Sequence, residues 1–154
     1  MKRRTFNDSG LQAKFEREGF ITLQLLDTET VAWCQKQFEQ NISDENNSTF
    51  YTSHWSGNEA YRRKIDGILR PLLSKLALPH FDNHKAVYAY FLVKQPGDDG
   101  YFHVHQDWTL VDEKQFLGAT VWCPLVDISD ENGPFHVVEK SHLFLQNIRG
   151  SNIE

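Results

Sequence analysis

Tyr101-Phe102-His103-Val104-His105-Gln106-Asp107-Trp108 is the stretch from which the rest of the chain is read. The sequence predicts a strand over about 101–107. In a strand, side chains at i and i+2 share a face. His105 and Asp107 then converge on one side, an imidazole beside a carboxylate. The pair is two-thirds of the 2-His-1-carboxylate facial triad, which leaves positions of an octahedral ion open. Alone, the signal is weak: short His-x-Asp pairs arise by chance wherever a surface or core-edge histidine stands near an acid.

The flanking sequence gives the strand its setting. Upstream, Val87-Tyr88-Ala89-Tyr90-Phe91-Leu92-Val93 is aromatic and β-branched and reads as a buried strand. Pro96-Gly97-Asp98-Asp99-Gly100 reads as a turn. Downstream, strands are expected over 116–125 and 134–138, joined by a tight turn at Asp130-Glu131-Asn132-Gly133. The first half is helical in pattern. Leu11, Phe15 and Glu18 form a short amphipathic helix closed by Gly19, with Asp8 or Ser9 as its cap. Phe20 to Leu25 alternates like a strand. Asp27 caps a second helix over about 28–40, with Val31, Cys34 and Phe38 at helical spacing. Residues 41–48 read as loop. A third helix covers about 58–76, with Pro71 expected to bend or interrupt it. The fold class expected is α+β, a helical layer over about 8–78 packed on an antiparallel sheet over about 85–150, in one domain.

The chain has 154 residues, enough to bury roughly 68–70% of the surface its unfolded form exposes. Its 16 Lys plus Arg against 21 Asp plus Glu give a net charge of −5, which excludes a basic nucleic-acid footprint. Lys2-Arg3-Arg4 reads as a solvated tail. No apolar run follows it and none reaches membrane-spanning length, so neither a secretory leader nor a membrane partner is expected. Cys34 and Cys123 fit no metal or redox spacing and read as reduced thiols, with the cytoplasm as the expected compartment.

Read together, the motifs resemble one family. His105-Gln106-Asp107-Trp108 is followed by Val121-Trp122-Cys123-Pro124-Leu125-Val126-Asp127. Then come Glu131-Asn132-Gly133-Pro134-Phe135 and Val137-Val138-Glu139-Lys140-Ser141-His142. This order is similar to that of the phytanoyl-CoA dioxygenase family, as are Phe91 to Gly97 and the opening Phe15-Glu16-Arg17-Glu18-Gly19-Phe20. The resemblance covers most of residues 11–150. It implies a double-stranded β-helix (jelly roll) with helices outside, and an iron(II)- and 2-oxoglutarate-dependent dioxygenase that hydroxylates a small organic or lipid-like molecule. His105 and Asp107 are the implied metal ligands. Asp107 favours hydroxylation over halogenation, because related halogenases lack the acid. Trp122 and Phe102 stand where the family's 2-oxoglutarate pocket has aromatic residues. Ordinary core packing is the alternative for both, and strand parity sets Phe102 on the face opposite His105. The same parity turns Gln106 away from the metal.

One part of the family pattern is missing. A second histidine and a following arginine that pairs with 2-oxoglutarate are expected on late strands, and the sequence ends at Glu154. The expectation is a truncated jelly roll, weakly active or inactive alone, that self-associates or is completed by a second chain. His136 and His142 are candidate substitutes for the third ligand, although the turn carrying His142 is structural in the family. Gln146 stands where an arginine would follow His136, and Arg149 fits neither spacing. His54, His80 and His84 read as surface or capping residues. Two rivals stand beside this reading. One is an inactive or partner-completed binding module. The other is a cupin, since Gly97 and His103-Val104-His105 match the start of its metal motif, but Thr109 and Leu110 occupy the positions of its glutamate.

Overall fold

The computed structural model describes residues 3–42, 50–95 and 103–145. Three helices dominate it. Helix α1, Ser9–Glu18, starts where the Asp8 carboxylate accepts the Leu11 N–H at 2.7 Å. It ends at Gly19, whose φ of 88° is the left-handed conformation a helix stop favours. Helix α2, Thr28–Asn41, starts the same way, with Asp27 accepting from Thr30 N–H at 2.8 Å. Helix α3, Glu59–Ala77, is capped by Asn58. Pro71, expected to bend or interrupt it, lies inside it without ending it. Both Pro71 and Gly67, whose carbonyl loses its helical donor, are exposed, so water can satisfy that group.

The chain is mixed helix and sheet, but its regular sheet is small. Among the described residues, strand β1, Phe50–Thr52, and strand β2, Leu92–Lys94, form one antiparallel pair with Tyr51 opposite Val93. The strands expected over 20–25, 116–125 and 134–138, and the described part of 101–107, run without a ladder. A complete jelly roll is therefore not what these residues form. Alternation fixes which side chains share a face but names no partner to supply backbone hydrogen bonds. The pleat is still visible in burial: Leu23 and Leu25 are half-buried while Thr22 and Gln24 are exposed. The loop expected at 41–48 and the turn at 96–100 fall almost wholly outside the described residues. The turn at 130–133 is present. Asn132 Oδ1 accepts the Ser129 N–H at 2.9 Å, and Gly133 has a φ of 80°.

The core joins α3 to the segment before β2. Ile65, Leu69, Ala89 and Phe91 are buried together, with Phe38, Tyr61, Ile68, Leu73 and Leu125 packed around them. Each fully buried aliphatic side chain contributes about 1.5–3 kcal/mol. The segment 87–93 alternates at its centre: Ala89 and Phe91 are buried, while Tyr90 and Leu92 on the other side are exposed, as is Val87 at its start. Side chains fix its position. Asp66, buried in α3, accepts the Ala89 N–H at 3.0 Å and pairs with Arg70. Ser53 Oγ accepts the Phe91 N–H at 3.0 Å, and the Ser53 N–H donates to the Phe91 carbonyl at 2.9 Å.

The start of the chain is docked, which its polar composition hid. Thr5 and Phe6 are buried. Phe6 bridges to Phe81, and the buried Gln12 Oε1 accepts both the Thr5 and Phe6 N–H groups at 2.9 Å. Arg3, expected to be a solvated tail residue, donates to the Lys114 carbonyl at 2.8 Å. No helix among the described residues is long and apolar enough to cross a membrane.

Candidate metal centre

His105 and Asp107 lie on a segment that joins no ladder among the described residues. His105 Nδ1 is 2.7 Å from the His103 carbonyl oxygen. A carbonyl can only accept, so Nδ1 carries the proton and donates. That fixes the tautomer and leaves Nε2 as the basic nitrogen, the arrangement in which a histidine binds a cation. Nε2 faces Asp107 Oδ1 at 3.2 Å. Two adjacent ligands about 2.1–2.2 Å from an octahedral ion stand about 3.0 Å apart, so the separation suits a shared ion. It suits equally a hydrogen bond from the imidazolium form. Both side chains are about half exposed, at 45% and 55%.

The donor set fits iron(II) in type and spacing as far as it goes. Among the described residues no third His, Cys, Asp or Glu completes a metal-holding group. His142 is engaged elsewhere. Its Nε2 lies 2.9 Å from the Glu16 carbonyl, and its ring packs where any Cβ on Gly19 would fall. The adjacent Lys140 N–H donates to the Glu18 carbonyl at 3.0 Å. This turn therefore clasps the end of α1. His136 is exposed.

The other site residues sort differently. Trp122 is 41% exposed and stacks on Phe135, with ring centroids 5.0 Å apart and planes 19° apart. Phe102 lies outside the described residues, as do Gln146 and Arg149. Gln106 is exposed.

Sequence reading missed an aromatic group beside the pair. The His54 ring stacks on Tyr90 at 5.5 Å and meets Tyr88 edge-on at 4.7 Å. Burial, and then the Asp107 charge, push the Tyr90 phenol up, which puts the ring within electrostatic reach of that carboxylate. Burial, and then Arg62, hold the His54 imidazole below its ordinary value. His54 is thus half-buried and neutral, not the surface residue expected. The signal was present in part: Tyr88, Tyr90 and Leu92 alternate with the core-facing Ala89 and Phe91. His54 had none, since the loop that brings it there is distant in sequence.

A family model described as phytanoyl-CoA dioxygenase (PhyH) matches residues 15–149, and the chain belongs to that family. Membership implies oxygenase-type function with iron(II) and 2-oxoglutarate. No curated protein and no solved structure matches the chain.

Proposed function

We propose that the chain holds iron(II) through His105 and Asp107 and belongs to a 2-oxoglutarate-dependent hydroxylase of a small organic or lipid-like substrate. The observation that carries this is the convergence of His105 Nε2 and Asp107 Oδ1 at 3.2 Å, with Nδ1 donating to the His103 carbonyl. Iron(II) bound there supplies oxygen activation coupled to decarboxylation of 2-oxoglutarate. The chain's residues do the rest. The His103 carbonyl orients the imidazole. Trp122, steadied by Phe135, lines the cosubstrate side, and the family resemblance gives Phe102 the same role. Tyr90, backed by the neutral His54, walls the Asp107 side without adding a cation that would compete for the carboxylate.

The test is anaerobic calorimetry with iron(II), or with manganese(II) as a redox-stable substitute. His105→Ala and Asp107→Ala each weaken binding at least tenfold, and His103→Ala does not. Loss of binding on His103→Ala with retention on Asp107→Ala would transfer the site to the cupin register.

A second reading, a jelly-roll-like module without catalysis, is favoured by one observation: only two ligands converge among the described residues. Succinate release from 2-oxoglutarate separates the two. Metal binding with no succinate, under oxygen and reductant, supports the module. Iron-dependent succinate that disappears in Asp107→Ala supports the enzyme.

A further inference from the structure

We infer that Cys34 and Cys123 form a peroxide-oxidisable dithiol that closes to an intramolecular disulfide between α2 and the segment 121–125. The two residues are far apart in sequence, and the fold sets their surroundings together. On α2, Cys34 and Phe38 are one turn apart and share a face. Cys34 is 2% exposed, and Phe38 packs on the core and meets Phe91 at 5.3 Å. On the facing segment, Cys123 and Leu125 are half-buried, while Val121, Trp122 and Pro124 are exposed. Leu125 packs against the same core cluster as Phe38.

A hydrogen bond ties the two segments together beside the cysteines. Gln35 Nε2 donates to the Leu125 carbonyl at 2.6 Å, which fixes the segment against α2. Gln35 follows Cys34 directly and Leu125 lies two residues beyond Cys123, so this bond brings the two cysteines into one neighbourhood. Burial first, and then the neighbouring Cys123, push the Cys34 thiol up, as expected of two sulfurs in proximity. Burial alone pushes Cys123 up.

The chemistry is ordered by access. Cys123 is the more exposed residue of the two and is the one assigned to meet the oxidant. Its thiolate attacks the O–O bond of hydrogen peroxide, giving a sulfenic acid and, after proton transfer, one water. Cys34 then attacks the sulfenic sulfur, the S–O bond breaks and a second water leaves. Two thiols and one peroxide become one disulfide and two waters, the sulfurs losing two electrons to the peroxide. Because burial keeps the thiolate fraction of both groups low, the bridge forms slowly and under sustained oxidant. Trp122 precedes Cys123, so bridging also fixes that segment to α2.

The test uses the whole reduced chain. It is exposed to hydrogen peroxide, blocked by alkylation under denaturing conditions and mapped by peptide mass. The expected product is a Cys34–Cys123 cross-linked peptide, lighter by two hydrogens than the two free peptides and released by dithiothreitol. When isotopically labelled and unlabelled chains are mixed first, the cross-links stay within one chain. In Cys123→Ser, Cys34 remains alkylatable at a peroxide dose that bridges the natural chain. Three outcomes overturn the inference: Cys123 reaching sulfinic acid while Cys34 stays a thiol, cross-links joining labelled to unlabelled chains, and oxidation of Cys34 at an unchanged rate in Cys123→Ser.

Discussion

His54 sits between two tyrosine rings with its Nδ1 buried and without a hydrogen-bond partner. Such a ring tolerates neutrality and resists charge. Burial, and then Arg62, hold its folded-state pKa below the ordinary 6.5. In the unfolded chain the group titrates near that ordinary value. As the pH falls through it, the unfolded state takes up a proton that the folded state refuses. Stability therefore declines until the folded pKa is passed, and above the ordinary value this residue adds no pH dependence. Urea midpoints taken from about pH 7.5 down to about pH 5.5 should fall more steeply for the natural chain than for His54→Phe, which has no proton to bind. Equal slopes would show that His54 charges freely in place. At this scale the candidate site was partly legible. His105 and Asp107 could be read because two residues on one extended segment share a face by local geometry alone. Tyr90 and His54 could not be assigned to the same place, because it is the long-range pairing of β1 with β2, continued by the Ser53–Phe91 hydrogen bonds, that brings their segments together.

Two left-handed residues set the junction between α1 and the turn at 140–142. Gly19 has a φ of 88°, and a Cβ there would lie 2.5 Å from His142 Nδ1. Lys140 has a φ of 60° with a side chain attached. The left-handed conformation costs an L-residue roughly 1–2 kcal/mol, and glycine in the unfolded chain costs about 0.5–1 kcal/mol of extra entropy. The two positions should therefore respond with opposite sign. Lys140→Gly should stabilise by about 0.5–1 kcal/mol in denaturant melts. Gly19→Ala should destabilise by at least about 1–2 kcal/mol, since it adds a clash to the strain. Destabilisation by Lys140→Gly would mean that the Lys140 side chain contributes more than its backbone costs. Local determinants of this kind explain why the helices were readable. Asp8, Asp27 and Asn58 cap helices within three residues of themselves. The expected strands at 20–25, 116–125 and 134–138 depend on partners that no local pattern names, and there the reading and the structure part.

The molecule is built unevenly. Its buried core sits between α2, α3 and the segment 89–91, whereas most of the large exposed apolar side chains among the described residues follow residue 103. Val126 is 61% exposed and Phe144 is 66%, with Val104 at 83% and Trp108 at 66%. Where such side chains adjoin, apolar surface of this kind marks an interaction face. The extended segments after 103 also form no ladder among the described residues, and such backbone invites strand pairing with another chain. The net charge of −5 opposes association only weakly at physiological salt, where the Debye length is about 8 Å. Together these features predict that the chain self-associates through its second half. Sedimentation velocity should show species above monomer that grow with concentration, and a hydrophobic dye should bind. Val126→Lys with Phe144→Lys should shift the distribution toward monomer and reduce dye binding. Both positions are exposed, so their stability cost should stay within about 0.5 kcal/mol each. This separates a surface effect from unfolding, because a destabilised chain would bind more dye. A monodisperse monomer that binds no dye would show that these side chains find cover within one chain, and that a second copy is not what they await.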